Sequence, residues 1–124
     1  MTGNEIYYLA LALLGEPSTS AGDYEAEVVR QKINVLLPEV FLYNENYRAH
    51  AGKEPLAVCP TIAALSDDIP FEDMICRLAL PYGLASKLAY DDDETGKASY
   101  FNGMMASVLQ TMTPFTSNGV VDLY

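Results

Sequence analysis

Basic residues are scarce. Seven Lys and Arg stand against seventeen Asp and Glu in 124 residues, a net charge of −10. Gripping nucleic-acid phosphates needs clustered Lys and Arg, and this chain has neither the number nor a basic run, which argues against sequence-specific DNA binding. Histidine occurs once, at His50; without a partner at helical spacing it reads as an ordinary surface or loop residue, and most His-based catalysis is excluded. The two cysteines, Cys59 and Cys76, form no CxxC pair and read as buried reduced thiols. Glycine-rich phosphate cradles and a nucleophile elbow around serine are missing. The one sustained apolar run, Ile6 to Leu14, is nine residues long, too short to cross a bilayer, and no basic segment precedes it. The expectation is a protein made in the cytoplasm, without membrane contact, cofactor or metal.

What remains is enough for one core. Half the residues are hydrophobic, and a chain of this length buries about two-thirds of its unfolded surface without a disulfide or metal staple. The patterning predicts a mainly α fold: a four-helix, bundle-like domain over 1–113 and an extended tail over 114–124. A first helix is expected at 4–14, with Ile6, Leu9, Ala10 and Leu13 inward and Gly15-Glu16-Pro17 as its stop. After a small-residue linker, Asp23 is the expected N-cap of a second helix running to about Tyr47. Val29, Ile33, Leu36, Leu37, Val40 and Phe41 form its stripe, and Pro38 should kink it without ending it, because the stripe stays in phase.

Periodicity fails over 49–66, where Gly52, Pro55 and Pro60 punctuate an irregular excursion offering only short strands at 56–59 or 62–65. Asp67-Asp68-Ile69-Pro70 reads as a helix start. The third helix then reaches about Tyr90 with Phe71, Met74, Ile75, Leu78, Tyr82, Ala85 and Leu88 on one face, bent near Pro81 and Gly83. A fourth covers 94–112 on Ala98, Phe101, Met105, Val108, Leu109 and Met112.

Two acidic groups invite a chemical reading, Asp67/Asp68 and Asp91 to Glu94. Calcium loops space their carboxylates around an essential glycine; here they are consecutive and Gly96 is misplaced, so helix caps are the better account. A hydrolase using both groups as paired carboxylates would need one carboxyl in an apolar pocket. Met104, Met105 and Met112 read as core filler. The nine tyrosines hint at protein contacts, because an apolar ring with a polar tip suits interfaces. Tyr7, Tyr8, Leu11, Tyr43 and Tyr100 exceed the needs of a small core and are expected on flanks that meet other chains. Val120, Val121, Leu123 and Tyr124 make a short apolar strand without a local partner, which is expected to dock on another protein.

One further signal is the run Asp67-Asp68-Ile69-Pro70-Phe71-Glu72-Asp73, followed by Leu80-Pro81-Tyr82-Gly83-Leu84-Ala85-Ser86-Lys87-Leu88, Asp91-Asp92-Asp93 and Ala98-Ser99-Tyr100-Phe101. In this order they resemble head–tail connector proteins of tailed bacteriophages, most clearly over 67–112. The resemblance implies a virion protein without enzymatic activity, one subunit of a neck ring of about twelve copies. It further implies a portal protein on one side, the next neck or tail component on the other, and DNA passing without specific binding. The alternative is an acidic helical interaction module that is not part of a virion.

Overall fold

The structure, a computed structural model, describes residues 1–112; the tail, with Val120, Val121, Leu123 and Tyr124, lies outside the described residues. Helix α1 spans Gly3–Leu13, a 3₁₀ turn covers Ser18–Asp23, and α2 runs Ala26–His50. A π-helical segment at Ile75–Ala79 leads straight into α3, Leu80–Asp91, and α4 spans Thr95–Met112. No strand occurs among the described residues, which hold only an isolated bridge between Thr2 and Asp68. The mainly helical, bundle-like expectation holds.

The first helix is set by a capping box that the sequence reading passed over. Thr2 Oγ1 accepts from Glu5 N at 3.2 Å, and Glu5 Oε1 accepts from Thr2 N at 2.8 Å, which satisfies two donors at the helix start. Three helices end alike. Gly15 and Gly52 take positive φ, with Glu16 N donating to Leu11 O and Lys53 N to Arg48 O at 2.8 and 2.9 Å. After α3 the same left-handed position falls to Asp93, φ 61°, with Glu94 N donating to Ala89 O. Gly pays no steric cost in this conformation and Asp pays some.

Helix α2 continues through Pro38 as one element, as its unbroken stripe requires. Its N-cap is Glu25, without a side-chain cap bond, and Asp23 closes the 3₁₀ turn instead. The third helical stretch departs further from expectation. Pro70 lies in the preceding loop and helix begins only at Asp73. Pro81 has no N–H and its ring would press on the Arg77 carbonyl in a regular α-helix. The chain widens just before it, with Leu80 N donating to Ile75 O across a π turn.

That widened turn inserts a residue and shifts the helical phase by about 100°. Met74 and Leu78, expected inward, are 44% and 38% exposed, whereas Cys76, Ala79 and Leu80 are buried. Helix α1 is also rotated from expectation: Ile6, Tyr7, Ala10 and Leu11 are buried and Leu9 is 38% exposed. Helix α3 is the central one and packs on α1, α2 and α4, while α2 and α4 scarcely touch each other. Its Leu80, Leu84, Ala85 and Leu88 are fully enclosed, and Tyr82 lies 6.2 Å from the Phe101 ring of α4. The Ser86 hydroxyl donates to the Ala98 carbonyl at 2.7 Å.

The expected excursion is irregular in backbone but closely held. One polar stripe of α2 grips its backbone. Asn34 accepts from Ile62 N at 2.8 Å through Oδ1 and donates to Ile62 O at 2.9 Å through Nδ2, while Arg30 donates to the same carbonyl at 3.1 Å. The Glu45 carboxylate accepts from Leu56 N and Ala57 N, and Arg48 Nε donates to Glu54 O at 2.8 Å. Asn44 Oδ1 accepts from Glu72 N at 2.7 Å. The far edge of the strap meets α1, where Asn4 N donates to Leu65 O and Gly3 N to Asp67 O.

Candidate interaction surfaces

Two concave apolar surfaces stand out among the described residues. The larger is a groove of about 600 Å³. Val28, Gln31, Lys32 and Val35 of α2 form one wall, Ser86, Lys87, Tyr90 and Asp91 of α3 the floor, and Ala98, Ser99 and Asn102 of α4 the other wall. Val28, Val35 and Tyr90 stand 40%, 59% and 67% exposed. The second, about 210 Å³, lies among Leu9, Leu13, Leu78, Pro81 and Tyr82, with the charged Arg77 at its lining. It exists because the π turn swings Leu78 outward and the rotation of α1 does the same for Leu9.

All seven Lys and Arg lie among the described residues, and every one is in an ion pair within the chain. Arg30 pairs with Glu27, Lys32 with Asp91, Arg77 with Asp73, Lys87 with Glu39 and Lys97 with Glu94. Arg48 and Lys53 share Glu72, at 3.0 and 2.6 Å. Lys53 foremost, then Arg48, holds the Glu72 carboxyl below its ordinary range. The surface therefore carries surplus carboxylate with its cations already neutralised.

The two acidic groups do not converge. Asp67 accepts from Ala63 N and Ala64 N, closing a turn, and Asp68 pairs with the Met1 ammonium at 3.3 Å. Neither caps a helix, contrary to expectation. Asp91 closes α3 against Lys32, Asp92 accepts from the Tyr24 hydroxyl at 2.7 Å, and Glu94 precedes α4 beside Lys97. Among the described residues no group of His, Cys, Asp and Glu is arranged to hold a metal ion, and no helix is long and apolar enough to cross a membrane.

The tyrosines divide. Tyr8, Tyr43 and Tyr100 are 47%, 42% and 61% exposed and remain available to other chains. Tyr7 and Leu11 are not: both are buried, and the Tyr7 hydroxyl donates to Ala21 O at 2.6 Å. Burial first, then the negative charges of Asp23 and Glu16, pushes the Tyr7 phenol up; burial and the bond to Asp92 do the same to Tyr24. Cys76 is buried among core side chains, its thiol pushed up to about 11 chiefly by burial, whereas Cys59 is half-buried. His50 is exposed near the C-terminus of α2, with Nδ1 at 3.1 Å from Asn46 O. Met105 is in the core and Met112 packs against it, while Met104 is half-buried.

The exposed residues that matter most, Val28, Val35, Tyr90 and Leu78, were not singled out as interface residues from sequence. Val28 and Val35 could have been, because they lie seven apart on α2 and out of phase with its core stripe. Leu80 to Leu88 and Ala98 to Phe101 supply the α3–α4 packing and part of the groove. No family model, curated protein or solved structure matches the chain.

Proposed function

We propose that this chain is a structural subunit of a bacteriophage neck ring, joining the portal vertex to the tail and lining the channel through which DNA passes, with no chemistry of its own. The observation that carries this reading is the presence of two separate exposed apolar surfaces, the α2–α3–α4 groove and the Leu9–Leu78 patch, built from different residues. A neck subunit has to meet unlike neighbours, and two unlike surfaces built from different residues provide for that, whereas a two-fold dimer needs only one. The surplus of carboxylate over cation supports a channel role, because fixed negative charge repels passing phosphates within a screening length of about 10 Å. The resemblance over 67–112 points the same way.

The test is assembly with a phage portal protein. Wild-type chain should co-migrate with portal on size-exclusion chromatography. Val35→Asp and Leu78→Asp, each at an exposed position, should each fold and each weaken assembly with portal. A chain that stays apart from portal and is absent from particles overturns the reading, and one that binds another phage or host protein would be an interaction module instead.

A further inference from the structure

Among the described residues, the α2–α3–α4 groove has the form of a slot for a helix. Helix α3 holds α2 and α4 apart, so its exposed side floors a trough between two helical ridges, the relief into which another helix packs. The lining residues 28–35, 86–91 and 98–102 span about one and a half to two turns, on the order of 10 Å. Ala98, Ser99 and Asn102 keep the α4 wall low, which allows close approach. The polar edges are not free to bind anions, since Lys32 lies 2.6 Å from Asp91 and Lys87 lies 2.9 Å from Glu39. At one end of the trough the α3–α4 turn presents Asp91, Asp92, Asp93 and Glu94 in succession, all exposed.

We infer that this groove receives a cationic amphipathic helix from another protein. An apolar i, i+3/i+4, i+7 face rests on Val28, Val35 and Tyr90, and Lys or Arg side chains pass the Asp91–Glu94 turn. This rests on the reading of the chain as an assembly subunit and gives the chemistry of one neighbour. A second copy is a poor occupant: its net charge is −10 and all its cations are engaged internally, so it would set carboxylate against carboxylate. Nucleic acid is repelled for the same reason.

The probe is a synthetic helical peptide of Leu and Lys with one leucine face, compared with its Leu/Glu counterpart, titrated into the isotope-labelled full chain and followed by NMR. The Leu/Lys peptide should shift resonances at Val28, Val35, Tyr90, Ser99 and Asn102, and the Leu/Glu peptide should not. Val35→Asp, with its fold checked by circular dichroism, should weaken binding by about tenfold or more, and Asp92→Asn with Asp93→Asn by about threefold. Shifts spread over the whole acidic surface, or undiminished binding by Val35→Asp, would reduce the effect to nonspecific charge attraction and overturn the inference. Equal binding of the Leu/Glu peptide, or a free chain that dimerises through Val35, would also overturn it. Failure here with the chain still joining portal leaves the ring reading intact; groove binding by a chain absent from particles refutes the ring reading alone.

Discussion

Replacing Asn34 by Ala tests whether the 51–72 strap is held by α2 side chains. Asn34 makes a two-point contact with Ile62, whose residue is 2% exposed. In Asn34→Ala the Ile62 N–H loses its acceptor, and a buried unsatisfied donor costs about 1–3 kcal/mol. The Ile62 carbonyl keeps Arg30 at 3.1 Å, so the second lost bond costs only about 0.5–1.5 kcal/mol. The sum is about 2–4 kcal/mol, a large share of the roughly 5–15 kcal/mol by which domains of this size are stable. With a urea slope of about 2 kcal/mol per molar, the midpoint should fall by about 1–2 M. Hydrogen exchange should quicken at Gly3 and Asn4, whose amides donate to the same strap. A midpoint unchanged in Asn34→Ala would refute the clamp.

Gly3→Ala places a Cβ about 3.0 Å from the Leu65 carbonyl and Ile62 Cδ1, so it should cost about 1–3 kcal/mol by displacing the strap; a thermal melt unaffected by the change would contradict this packing. Asp93→Gly relieves a non-glycine residue at φ 61° and should raise stability by about 1 kcal/mol in the same melt. Glu72 sits below its ordinary 4.5 because Lys53 and Arg48 favour its charged form. Its contribution is fully present above the unfolded value and lost as pH falls through the lower folded one. Glu72→Gln should therefore be less stable than wild type at pH 7 and lose less stability on acidification below pH about 4.5, read by denaturation at each pH. Cys76, pushed up to about 11 by burial, should resist alkylation at pH about 8 until the chain unfolds, while half-buried Cys59 reacts first, as peptide mass spectrometry would show.

Much of the helix content was legible because α2 and α4 carry an apolar stripe at helical spacing, and Val29, Ile33, Leu36, Val40, Phe101, Met105 and Leu109 are buried as their spacing requires. Helix α1 defeated the same reading. Tyr7 to Leu14 is apolar all round, so periodicity names no inward side, and the choice of Tyr7 and Leu11 over Leu9 is made by packing on α3. In the third helix the π turn before Pro81 shifts the register, a backbone adjustment that spacing arguments built on a fixed period of about 3.6 residues cannot register. The strap was unreadable for another reason. Its order comes from Arg30, Asn34, Glu45 and Arg48, polar residues that look like solvated surface until a distant backbone is placed against them. Of the candidate interface, Tyr8, Tyr43 and Tyr100 emerge exposed, while the groove needed three helices to be assembled before it existed.

The most direct measurement is electron microscopy of phage particles carrying a labelled copy of this chain. Density for a closed ring of the labelled chain between portal and tail is the predicted result. Particles with complete necks and no label, alongside free chain recovered as a lone monomer, would contradict it.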